Sequence, residues 1–224
     1  MIESLGLSAT EVLSTTRSVR RRMDLTRPVP PEVVEACLDL ATQAPTGRNR
    51  QHWEFVVVTD PGLRKALAAY CLNGMTRPTQ PVYFDDSDRW DPVARSKLLD
   101  GAQDFFARLH EVPVMVLPCV RMVRTPNPSV VQQAGVWGSI LPAAWSFALA
   151  AREHGLGTVW LPGHLHHERE VAELLGIDYD NVMQTVLLPV AYTRGTTFHR
   201  GPRVPAGTVT HWNRWGNHTT AHPD

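Results

Sequence analysis

Residues 17–22 read Arg-Ser-Val-Arg-Arg-Arg, one hydroxyl side chain set among four guanidinium groups. Guanidinium forks match the oxygens of a phosphate, and a serine hydroxyl donates one more bond. Arg17, Ser18, Val19, Arg20 and Arg21 therefore form a candidate phosphate site, although such a run in isolation reads first as a solvated basic turn. A second candidate segment is Ala-Pro-Thr-Gly-Arg-Asn-Arg-Gln-His-Trp at 44–53. Gly47 permits close approach of the backbone to a ligand, while Thr46, Asn49 and Gln51 offer hydroxyl and amide groups to a polar heterocycle. An ordinary polar loop has the same composition.

Three further features bear on chemistry. His164, His166 and His167 invite a metal reading, but no fourth ligand is evident and the cluster precedes a helical pattern. A polar helix entry or pocket rim is the expectation, and no metal is assigned. Pro142 falls inside a helical pattern, where it removes a backbone bond at a cost of roughly 3 kcal/mol. Either the helix kinks there and frees carbonyls toward a ligand, or it restarts with Pro142 in its first turn. Trp53, Trp137, Trp160 and Trp215 are expected in the core or at an interface rather than on a ligand.

These groups lie between segments with helix and strand patterns. Ser8 and Glu11 have capping-box spacing, predicting a short helix over 10–16. Pro30 and Pro31 open a second helix, with Val33, Val34, Cys37, Leu38 and Ala41 at helical spacing and an end near 44–45. Residues 53–59, Trp-Glu-Phe-Val-Val-Val-Thr, suit a buried strand, and Asp60-Pro61 cap the next helix. The stretch 73–90 reads as a long loop, 92–110 as a helix and 114–120 as a strand. A long helix then runs through His154 and ends at Gly155, followed by a strand at 158–161, a helix at 168–175 and a strand at 181–192. From 193 onward the chain is basic and rich in turns. Helices outnumber strands, so a mixed sheet wrapped by helices is expected.

Composition bounds the rest. With 224 residues and 43% hydrophobic content, the chain fits a single domain with a real core. Lys plus Arg equal Asp plus Glu at 22 each, so no net field recruits nucleic acid or an anionic membrane. Cys37, Cys71 and Cys119 are widely spaced and odd in number, which points to a reducing compartment. No basic region leads into an apolar stretch at the N-terminus, and the cytoplasm is the expected location. Residues 125–151 carry no charge, but their prolines, glutamines and asparagine favour a core helix, buried on nearly every side, over a membrane span.

In this order and spacing, Arg-Ser-Val-Arg-Arg-Arg at 17–22 and Ala-Pro-Thr-Gly-Arg-Asn-Arg-Gln-His-Trp at 44–53 resemble the paired flavin motifs of the nitroreductase family. The likeness continues through Leu141-Pro142-Ala143-Ala144, the Gly155-Leu156-Gly157 lead-in and Arg203-Val204-Pro205, and so covers nearly the whole chain. It departs from the family at Thr16, where an arginine is common, at His52 before Trp53, and at Trp145-Ser146 in place of Gln-Asn.

The resemblance implies an α+β fold of the three-layer α/β type, with a mixed, mostly antiparallel central sheet wrapped by helices. One domain would span residues 1–224, and a C-terminal arm from about 193 would pack on the partner of a homodimer. It implies FMN as cofactor, held by Arg17, Ser18, Val19, Arg20, Arg21, Pro45, Thr46, Gly47, Asn49, Gln51, Pro142 and Arg203. Arg17, Ser18 and Arg203 would take the phosphate, and Arg20 or Arg21 the electron-rich edge of the ring. NADH or NADPH would reduce the flavin, and a nitroaromatic, quinone or similar small acceptor would reoxidise it in ping-pong fashion. No side chain is assigned as nucleophile or obligatory acid. Dehalogenation, flavin reduction, a deazaflavin donor, and flavin storage or regulation without turnover remain alternatives.

Overall fold

A computed structural model describes residues 3–76 and 104–218. The expected loop and helix within 77–103 lie outside these residues. The chain opens with α1 (Ala9–Thr15), where Ser8 and Glu11 form the expected capping box. A two-residue strand β1 (Met23–Asp24) and α2 (Pro31–Ala41) follow. Next come β2 (Trp53–Val58) and α3 (Pro61–Thr76), whose start is capped by Asp60 Oδ1 accepting from the Leu63 N–H at 2.8 Å. Because α3 continues to Thr76, the first residues of the predicted 73–90 loop are helical. Of the helix predicted over 92–110, residues 104–107 are helical and Leu109–Glu111 form a 3-10 turn.

The second half contributes β3 (Val114–Arg121), α4 (Val130–Glu153), β4 (Leu156–Thr158), α5 (Glu168–Leu175), β5 (Val182–Gln184) and β6 (Leu188–Thr193). The six strands run in the order β1-β6-β3-β2, with β4 joined to β6 and β5 to β3, and every ladder is antiparallel. The parallel contribution is an isolated bridge between Ser18 and Thr158. β3 alternates its side chains between two cores. Met115, Leu117 and Cys119 pack with α3 and α5, while Val114 and Val116 pack with α2 and α4. Helices thus cover both faces of the sheet.

Two predicted strands are redrawn. The strand expected at 158–161 lies at Leu156–Thr158, and Leu161 makes a single bridge to Leu187. The run 181–192 splits into β5 and β6 because of Pro118 in the middle of β3. Pro118 turns its carbonyl toward Thr185, which donates both its N–H (3.1 Å) and its hydroxyl (2.7 Å) to it. The donor that proline lacks would have faced the same strand, so the ladder breaks there.

α4 also differs from expectation. Its second half is core, with Ala143, Ala144, Phe147 and Ala151 buried, but its first half is exposed, Val130 at 80% and Val131 at 81%. Among the described residues the helix is therefore not buried on nearly every side; none of them covers its uncharged first half. Nor does it restart at Pro142: the 24 residues form one helix with Pro142 inside. Gly138 accordingly has a carbonyl with no helical donor. Trp53 and Trp137 are half-buried, while Trp160 is 37% and Trp215 90% exposed in the single chain.

Candidate functional site

The arginine segment leaves α1 at Thr16, whose hydroxyl turns back to donate to the Val12 carbonyl at 2.6 Å. Val19 then points into the core, with its N–H donating to the Thr158 carbonyl at 2.9 Å, which leaves Arg17 and Ser18 exposed. Arg17 reaches the tail, with Nη1 donating to the His199 carbonyl at 3.4 Å, and exposed Arg203 follows four residues later. Arg20 is half-buried, and its Nε, fully withdrawn from solvent, has no hydrogen-bond partner. Burial holds this guanidinium below its ordinary range. Arg20, Arg21, Asp104, Arg108 and Arg194 line a cavity of about 250 Å3 beside it. Arg21 is exposed.

Arg22 is spent on structure. Its Nε and both terminal nitrogens donate to the carbonyls of Arg194, Thr197 and Gly195 at 2.7–3.0 Å, and it lies over the Phe198 ring. Arg152 approaches the same ring and donates to the Thr196 carbonyl at 2.9 Å. Sequence reading passed over Arg152. It is 5% exposed and leaves Nε and Nη1 without partners, but in the sequence it is only a basic residue in a helix's last turn.

The second segment is a tight exposed loop before β2. Arg48, Asn49 and Gln51 all have φ between 52° and 58°, the left-handed region that costs a non-glycine residue about 1 kcal/mol or more. Thr46 Oγ1 accepts from the Gln51 N–H at 3.1 Å, and Gln51 Nε2 donates to Asn49 Oδ1 at 3.0 Å. Together these bonds hold the turn in shape, with Pro45 and Gly47 on its outer surface. On its far side, Gly47, Arg48, Arg50 and His52 face the first half of α4 across a cavity of about 540 Å3. Pro142 lies one helical turn beyond Ser139 of that cavity's wall.

The fold brings the candidate residues together in two groups. Ser18 neighbours Thr158, which pairs with Val190, which pairs with Val114 of β3, and β3 pairs with β2. Four strand spacings, about 19 Å, thus separate the arginine segment from β2. Along the strands, Trp53 pairs with Val120, six residues from Val114, a further 20 Å or so. Arg17, Ser18, Arg20 and Arg203 stand at one corner of the sheet. Pro45 through Gln51 stand at the opposite one.

The family model for the nitroreductase family matches residues 13–192. The chain belongs to the nitroreductase family. Solved structures agree on the fold. A crystal structure of iodotyrosine deiodinase bound to FMN and 3-iodo-L-tyrosine aligns over 92% of this chain and 99% of its own, with TM-score 0.64 and 22% identity. An FMN- and NADPH-dependent nitroreductase from Sphigopyxis sp. strain HMH aligns over 92% and 99%, with TM-score 0.66 and 22% identity. A BluB-like flavoprotein from Clostridium difficile 630 aligns over 93% and 100%, with TM-score 0.67 and 19% identity. No curated protein sequence matches this nitroreductase-family chain.

The histidine cluster is divided by the fold. His166 is exposed and His167 lies at the entry of α5, its Nε2 bonded to Asn73 Oδ1 at 2.7 Å. His164 is instead wholly buried in the 3-10 turn Gly163–His167, which corrects its placement at a rim. That turn meets α3 backbone to backbone: a Cβ on Gly74 would lie 1.9 Å from the Gly163 carbonyl oxygen. Neither ring nitrogen of His164 makes a hydrogen bond of ordinary geometry. Burial pushes its pKa down to about 4, opposed by the nearby Leu161 carbonyl.

Proposed function

We propose that this nitroreductase-family protein is an FMN-dependent oxidoreductase that takes electrons from NADH or NADPH and passes them to a small acceptor. It acts as a cytoplasmic homodimer whose C-terminal arm packs on the partner. The observation that supports this reading is the separation of the two candidate segments. Each exposes polar groups suited to one part of a flavin nucleotide, yet within one chain they are farther apart than one FMN extends. Two copies related by a two-fold axis would bring the arginine segment of one to the 45–51 loop of the other. The exposed, uncharged first half of α4 supports the same arrangement, because it offers an apolar face next to the loop.

The donor set fits the cofactor. Arg17, Ser18 and Arg203 would hold the phosphate, with Thr16 contributing no cation. Arg20 rather than exposed Arg21 would meet the electron-rich ring edge. A guanidinium withdrawn from water with an unused Nε stabilises negative charge more strongly than a solvated one. Thr46, Gly47 and Asn49 would line the ring or ribityl chain from the partner. Bound FMN supplies two-electron transfer between the donor and the acceptor.

The purified protein is expected to be yellow, to release FMN on denaturation, and to bleach with NADH or NADPH. A colourless protein that cannot be reconstituted with FMN would remove the proposal. Subunit mixing tests the shared site. Arg17→Ala/Arg20→Ala and Asn49→Ala/Gln51→Ala homodimers should each be nearly inactive, while their heterodimer carries one intact site and recovers activity. No recovery in verified heterodimers would mean that the two segments do not form one site across the subunits.

A further inference from the structure

We propose that Arg152, together with Arg22, is a positioning residue for the flavin phosphate: it fixes the turn 194–199 and, through that turn, the guanidinium groups of Arg17 and Arg203. This rests on the flavin reading, because the phosphate is what Arg17 and Arg203 would hold. Arginine side chains take five of the six carbonyls in the turn. Arg22 donates to those of Arg194, Gly195 and Thr197, Arg152 to that of Thr196 at 2.9 Å, and Arg17 to that of His199 at 3.4 Å. Two cations also approach the turn's Phe198 ring, the guanidinium carbons of Arg22 and Arg152 lying 4.1 and 4.9 Å from its centroid. Arg17 thus meets the turn three residues after the carbonyl that Arg152 holds, and Arg203 follows four residues after His199. Where the turn is held decides where both forks stand.

Arg152 is a costly way to fill its space. It is 5% exposed, and among the described residues its Nε and Nη1 have no hydrogen-bond partner and it makes no ion pair. Glu153 and Glu11, the carboxylates whose charge it feels, are engaged elsewhere. Glu153 accepts from Ser4, Gly6 and Leu7, and Glu11 from Ser8. A methionine would fill the same volume without the cost of burying a cation. It would supply neither the donor for Thr196 nor the cation for Phe198. The base from which Arg152 reaches is itself anchored: the Glu153 carbonyl accepts from the Leu5 N–H at 2.9 Å, and His154 Nδ1 donates to the Glu3 carbonyl at 2.8 Å. A fork on an anchored helix end holds a turn in one place better than the turn's exposed residues can hold themselves.

The test titrates FMN and riboflavin, which lacks the phosphate, into the full-length protein freed of flavin, following the quenching of flavin fluorescence. In Arg152→Met the Kd for FMN should rise about tenfold, the scale of one hydrogen bond to a charged group, while that for riboflavin changes less than about twofold. The urea midpoint should stay where it is or rise. Arg152→Lys should lose as much FMN affinity as Arg152→Met, because an ammonium lacks the planar fork that serves a carbonyl and a ring together. Phe198→Leu leaves every charge in place and should give the same loss selective for FMN. The double variant Arg152→Met/Phe198→Leu should be no worse than either single one. Equal losses for the two flavins, the mark of a merely structural role, would overturn the proposal, as would full FMN affinity in both single variants. Full affinity in Arg152→Lys would overturn it too, since charge alone would then be acting. A wild type that binds neither flavin would remove the flavin reading and this proposal with it; a wild type that prefers FMN, with variants that keep the preference, would remove the positioning role alone.

Discussion

Lowering the pH should weaken the fold through His164. Its imidazole is wholly buried without a hydrogen bond of ordinary geometry, and its pKa lies near 4 against about 6.5 in an unfolded chain. The neutral ring is the folded form, so its stability contribution is complete above pH 6.5 and is lost as the pH falls toward 4. The full difference of roughly 2.5 units corresponds to about 3 kcal/mol, and about 2 kcal/mol of it is lost by pH 5. The assay is urea unfolding at pH 7.5 and 5.0 for the wild type and His164→Phe, at fixed protein concentration and flavin content. Carboxylates that titrate over the same range act in both proteins and cancel. The wild type should lose about 2 kcal/mol more than the variant between the two pH values. Equal losses would show that His164 is solvated or paired in the folded protein, and the reasoning would fail.

Two other expectations follow from packing. Gly74→Ala should destabilise by about 3 kcal/mol or prevent folding, because the new methyl would collide with the Gly163 backbone, whereas Gly135→Ala meets nothing within 4 Å and should be neutral or slightly stabilising; thermal melts separate them. Cys37, Cys71 and Cys119 are fully buried, with thiols pushed up to about 12, 11 and 12, so Ellman's reagent should label none of them in native protein at pH 8 and all of them in guanidinium.

Local signals carried well from sequence to structure. Ser8 with Glu11, Asp60 with Pro61, and the α2 pattern each marked an element that formed, because capping and helical spacing act over a few residues. Long-range facts were hidden. Pro118 sits in an apolar run that reads as strand, and its effect falls on Thr185, a partner no local pattern identifies. The burial of His164 depends on Gly74 and Gly163 letting two backbones touch, 89 residues apart by their numbers. Both candidate segments were visible as motifs, but their placement at opposite corners required the sheet register. An uncharged run such as the first half of α4 signals an apolar environment without saying which molecule provides it.

The guanidinium groups around residues 194–199 bear on how the chain reaches its native state. Arg17 and Arg22, near one end, grasp carbonyls 172–182 positions away, with Arg152 closing on the same turn. Closures of that span come late, since little enthalpy is gained until most of the intervening chain is ordered. During synthesis on a ribosome, β6 and the turn after it emerge long after the arginine segment. The corner that holds the arginine segment is thus completed only when residues 194–199 are available, so a nascent chain lacking them carries the arginine motif without its native geometry.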